Sequence, residues 1–104
     1  MTSLNLDEVF FYPRVYNIKL DKDIPKDAIS VMRPSKFSNP FRLSDYNNNR
    51  DMVLDLYEKW VYSDDNKYLR DCIKAELHNK HLVCCCHPKK CHADILLQIA
   101  NPRD

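Results

Sequence analysis

L-V-C-C-C-H-P-K-K-C-H-A-D-I-L, residues 82 to 96, holds four of the chain's five cysteines and decides how it folds. Its first part, from His81 to Cys86, is a short apolar run predicted to be a strand. Pro88 turns the chain. A helix then starts near Cys91 and carries Ile95, Leu96, Ile99 and Ala100 on one face, ending before Pro102. Side chains alternate along a strand, so Cys84 and Cys86 are expected on one face and Cys85 on the other.

Two helices precede this strand–turn–helix unit. Arg50 to Ser63 places Val53, Leu56, Tyr57, Trp60 and Val61 on one apolar stripe, with Asn49 as N-cap and Asp51 in the first turn. Lys67 to His78 buries Leu69, Cys72, Ile73 and Leu77, with Asp65 or Asn66 capping its start and Asn79 ending it. Two more strands come earlier. Val15 to Leu20 reads as a half-buried strand, with Val15, Asn17 and Lys19 alternating against Tyr16, Ile18 and Leu20. Ala28 to Met32 is a β-branched run stopped by Arg33-Pro34, since proline cannot donate to a ladder. The predicted fold is α/β, a small three-stranded mixed sheet in β-β-α-α-β-α order with helices packed on it. Residues 15–104 would be one domain after an N-terminal arm, 1–14. The helical crossover makes the second and third strands parallel. Ligands in such sheets gather at the carboxyl ends of strands.

Composition excludes more than it assigns. The net charge is +1, from 16 basic and 15 acidic residues, so any anion site must be local. Glycine is absent, which rules out glycine-rich phosphate loops and leaves Asn47, Asn48, Asn49, Asn79 and Asn101 to make the turns. No apolar run is long enough to span a bilayer, so no membrane partner is expected. The opening M-T-S-L-N-L-D-E-V-F-F-Y-P-R does not read as a secretory signal. Clustered cysteines, odd in number, point to a reducing compartment, and a cytoplasmic location is expected.

The cluster has three readings. Cys84, Cys86 and Cys91 with His92 make a standard zinc set, with His87 as the other candidate for fourth ligand. Without metal, Cys91 at a helix N-terminus is a nucleophile, His92 a base and Asp94 an orienting carboxylate. The third reading is burial, since cysteine packs as a small hydrophobe; Cys72 and Cys85 are read that way. A second motif, R-P-S-K-F-S-N-P-F from Arg33 to Phe41, offers Arg33 and Lys36 to an anion. Ser35, Ser38 and Asn39 would orient the rest of a ligand, and Phe37 or Phe41 would stack on a base or pin the loop.

The ordered pair R-P-S-K-x-x-N-P-F and L-V-C-x-C-x-P-x-x-C-H-x-D-I-L, with a tryptophan-bearing helix between, resembles the uncharacterised domain of unknown function 4326. The likeness runs from about Val15 to Pro102. It matches Arg33, Pro34, Ser35, Asn39, Pro40 and Phe41 in the first motif, and Cys84, Cys86, Pro88, Cys91, His92 and Asp94 in the second. Cys85 stands where the family usually has tryptophan, and Ala93 where it has glycine. The resemblance implies a pocket shared by both motifs, a phage-type origin and hence the host cytoplasm, but no established activity. The expected function is a site for a small anionic ligand, a nucleotide or nucleic acid. The alternative is a phage protein that grips a host factor, with the cluster a structural staple and Val9 to Tyr12 an apolar contact.

Overall fold

Leu82, Val83 and Cys84 are all buried, as a strand covered on both faces must be, and they form the middle of the sheet. The computed structural model describes residues 13–87 and 89–102. Within them run β1 (Val15–Asn17), β2 (Ile29–Ser30), α1 (Arg50–Val61), α2 (Lys67–Leu77), β3 (Leu82–Cys84) and α3 (His92–Ala100). Short 3-10 turns at Leu43–Tyr46 and Asp64–Asn66 precede α1 and α2. The strand order is β1-β3-β2 and both pairings are parallel, with Val15 and Ile29 each opposite Leu82. The chain is therefore α/β, but its sheet is not mixed. Both outer strands lie beside β3, and all three carboxyl ends point the same way.

β1 also corrects the sequence reading. It buries Val15 and Asn17, while Ile18 and Leu20 are exposed. The strand ends at Asn17 because that side chain makes a turn of its own. Its Oδ1 accepts the Lys19 and Leu20 N–H groups, and its own N–H donates to Asp21. Asparagines do the work of glycine elsewhere: Asn47, Asn48 and Asn79 have φ of 55°, 58° and 57°. Asn49 caps α1 by accepting the Met52 N–H at 3.1 Å. The core joins Tyr57 and Val61 of α1, Ile73 and Leu77 of α2, Leu82 and Leu96. α3 packs on α2, α1 and β3, so its first residue stands at the end of the central strand. The expected arm contact at Val9 to Tyr12 and the turn at Pro88 lie outside the described residues.

Candidate functional site

Cys84 closes β3 and Cys91 caps α3, and the parallel sheet brings both to one end of the molecule. Cys91 is the cap because its sulfur accepts the Ala93 N–H at 3.4 Å. Asp94 completes a capping box by accepting the Cys91 N–H at 3.2 Å. This geometry uses the exposed Asp94 to hold the helix start; it is not among the residues lining the main cavity.

His92, in the first turn of α3, is oriented by its own hydrogen bonds. Nε2 lies 2.8 Å from the Val31 carbonyl oxygen, which can only accept, so Nε2 carries the proton. Nδ1 therefore presents its lone pair, and it lies 3.6 Å from the Cys91 sulfur. The Tyr57 ring stands edge-on behind the imidazole, and its hydroxyl donates to the Phe37 carbonyl. Burial pushes the His92 pKa down, and the nearby Arg33 charge pushes the same way. Burial pushes the Tyr57 phenol up, so it stays neutral.

The Cys84 and Cys91 thiols act on each other's titration. Cys84 is pulled down to about 6, first by the Cys91 thiol and then by the Cys86 and His87 N–H groups, against burial. Cys91 is pushed up by the Cys84 thiol and by burial, and the Ala93 N–H only partly offsets this. More donors converge on Cys84, so the thiolate sits there and Cys91 keeps its proton. Of the two, Cys84 is the electron-rich sulfur.

A cavity of about 530 Å³ opens over this pair. Its lining includes Cys84, Cys91 and His92 from the cluster, and Arg33, Asn39 and Phe41 from the first motif. Two further arginines, Arg42 and Arg50, complete the wall. Arg33 is braced by donating to the Asn39 carbonyl at 2.6 Å, and Arg50 by donating to the Lys90 carbonyl at 3.0 Å. Among the described residues the Arg42 side chain has neither a hydrogen bond nor an ion pair to protein. Neither Arg42 nor Arg50 was singled out from the sequence. Arg50 did carry a signal, because a cation in the first turn of a helix opposes the helix dipole.

Other expected site residues fall elsewhere. Lys36 pairs with Glu76 at 2.6 Å on the surface and does not line the cavity. Ser35 turns its hydroxyl back to the Phe37 N–H. Phe37 is buried in the core, which leaves Phe41 as the aromatic of this motif at the cavity. Cys86 lines the cavity, half-buried, and donates its N–H to the Cys84 sulfur. Cys85 is exposed and Cys72 half-buried, so neither is the fully buried packing residue expected. β3 stops at Cys84, and strand alternation no longer governs the two residues after it. His87 is tied through its carbonyl to the Asn17 amide.

The donor types suit zinc, but the arrangement does not. Among the described residues no group of three or more His, Cys, Asp or Glu side chains is placed to hold a metal ion. His92 Nε2 is committed to Val31, and the Cys91 sulfur to the helix cap. Nor is any helix of the described residues long and apolar enough to cross a membrane.

Neither the curated proteins nor the solved structures include a significant match to this chain. A family model matches residues 16–102, a span that holds all of the sheet but Val15, all three helices and the whole cavity wall. By that match the chain belongs to the family described as domain of unknown function 4326.

Proposed function

We propose that the cavity binds a small ligand carrying phosphate or carboxylate groups, of nucleotide type, and presents it to the Cys84–Cys91–His92 group. The observation that carries this reading is the convergence of Arg33, Arg42 and Arg50 on one cavity in a chain of net charge +1. Like charges repel, so three guanidinium groups around one hollow are favourable chiefly when an anion joins them. Phe41 offers a ring against which a base can lie, and Asn39 supplies polar selectivity.

The chemistry available to such a ligand is thiol chemistry. Cys84 supplies the nucleophile, Cys91 a proton and His92 Nδ1 a place for it, with Val31 holding the imidazole in register. A phage-encoded chain acting in the host cytoplasm belongs to this reading, supported by five thiols that are all free. Zinc is the competing use of the same sulfurs, and only their chemical type favours it.

Calorimetric titration of the reduced protein with nucleoside mono- and diphosphates tests the reading. Saturable binding is expected, weakened at least about tenfold in Arg42→Ala, the cost of one lost charge-assisted pair. The ligand-free variant's melting temperature should be no lower than the wild type's, because Arg42 holds nothing else in place. No binding at millimolar nucleotide, or equal binding by the variant, rejects the proposal.

A further inference from the structure

We propose that the group this cavity takes, given the anion-site reading on which this rests, is a diphosphate held by the arginines without a divalent cation. Arg33, Arg42 and Arg50 bring three positive charges to the wall. Among the described residues lining the cavity there is no Asp or Glu. Nor does any of the three arginines form an ion pair with another described residue. The nearest acids in the sequence, Asp51 beside Arg50 and Asp94 beyond His92, line a second hollow between α1 and α3 instead.

The size of the uncompensated charge selects among anions. A carboxylate carries one negative charge, and a terminal phosphate carries about 1.5 to 2 near neutral pH. Either leaves a guanidinium group without a counter-charge. A second phosphoryl group adds one more charge, so a diphosphate carries about three and matches the wall.

The supply of hydrogen-bond donors agrees. A guanidinium has five N–H groups. Arg33 commits a donor to the Asn39 carbonyl and Arg50 one to the Lys90 carbonyl, so both keep most of theirs. Ser38 and Ser44 line the same cavity, and neither hydroxyl bonds to another described residue. These donors outnumber what one carboxylate can accept, whereas two linked phosphoryl groups can engage them together. The arginines also come from separate places: Arg33 follows β2, Arg42 precedes the 3-10 turn and Arg50 opens α1. Anchors spread along a wall suit an extended anion better than a single point of charge. Magnesium-assisted diphosphate sites hold the ion through carboxylates as well as through the phosphates. This wall offers no carboxylate, and its guanidinium groups already supply the charge that magnesium would bring.

Calorimetric titration of the whole reduced chain with orthophosphate and with inorganic pyrophosphate, in EDTA at matched ionic strength, tests the assignment. Pyrophosphate is expected to bind at least about tenfold tighter, the worth of a further charge-assisted pair. Arg42→Ala should lose more affinity for pyrophosphate than for orthophosphate, which brings the two anions close together. The wild-type preference decides by itself should that variant fold poorly. Excess magnesium chloride should weaken pyrophosphate binding, because metal and arginines compete for the same oxygens. Equal wild-type affinity for the two anions, or binding tightened by magnesium, overturns the diphosphate assignment and leaves the anion site standing. Nucleotides that fail to bind where pyrophosphate succeeds reject the nucleotide reading and support the diphosphate. No binding by any phosphate compound rejects both.

Discussion

At the scale of single residues, His92 does most to distinguish a working site from a packed core. A histidine buried only for its bulk has no need of a lone pair aimed at a thiol. Here the Val31 carbonyl fixes the proton on Nε2 and leaves Nδ1 facing Cys91. Because burial lowers its pKa in the folded state, the unfolded chain takes up a proton first as pH falls. His92 therefore detracts nothing at pH 7 and destabilises the fold progressively below the ordinary imidazole value of 6.5. The limiting slope for one such group is about 1.4 kcal/mol per pH unit. His92→Gln keeps a donor for Val31 but does not titrate. Urea unfolding at pH 5, 6 and 7 should show the wild type losing stability toward acid faster than this variant. Parallel curves would mean that the imidazole titrates alike in the folded and unfolded chains. The pairing of adjacent residues Cys91 and His92 could be suspected from sequence, but the tautomer could not. It depends on a carbonyl sixty-one positions away.

At the scale of elements, the sequence was read best where the pattern was periodic. α1, predicted over 50–63, spans Arg50–Val61, and α2, predicted over 67–78, spans Lys67–Leu77, with the expected Val53, Tyr57, Ile73 and Leu77 buried. The strands are shorter than the apolar runs that signalled them, and β1 turned out to bury Asn17 because a polar side chain was needed to pin a loop. That amide donates to the His87 carbonyl and so ties the end of β1 to the cysteine loop. No periodicity rule reveals such a role. Asn17→Ala would strand the Lys19 and Leu20 N–H groups and the His87 carbonyl, at roughly 1–3 kcal/mol. The Lys89–Lys90 segment should then be cut faster by trypsin, and an unchanged rate would show the loop to be held from elsewhere. Asp94 tests the other end of the loop. If it is the capping carboxylate the geometry shows, Asp94→Ala costs about 1 kcal/mol in urea unfolding, in the range of lost helix caps. Asp94→Asn, which still accepts a hydrogen bond, should recover most of that stability and retain full thiol reactivity. A stable Asp94→Asn protein with lost reactivity would instead mark the carboxylate as an acid–base group.

At the scale of the whole molecule, the decisive feature is how charge is distributed within a nearly neutral chain. The two motifs that the sequence separates by about fifty residues meet because β2 and β3 are parallel neighbours, so the loop after one and the turn after the other leave the sheet at the same end. Arg42 and Arg50 line the same opening, and they escaped the sequence reading because neither sits in a motif. Arg33 and Arg50 are each held by a backbone carbonyl, which fixes the guanidinium groups without neutralising them. The local repulsion is therefore relieved either by general ionic screening or by a bound anion, and these differ in how they depend on the ion. Screening depends on ionic strength alone, with a Debye length of about 10 Å at 0.1 M. A bound anion stabilises by RT ln(1 + [L]/Kd), about 1.4 kcal/mol at tenfold excess over Kd. In a domain of this size that amounts to a rise of roughly 4–8 °C per kcal/mol. Sodium sulfate should thus raise the melting temperature more than sodium chloride at equal ionic strength, by several degrees. Because sulfate also stabilises proteins generally by exclusion from their surface, the comparison that decides is with Arg42→Ala, which should lose the excess and keep the general part. If both proteins respond equally to both salts, the three arginines do not act on one anion, and the cavity they line is a hollow without a ligand.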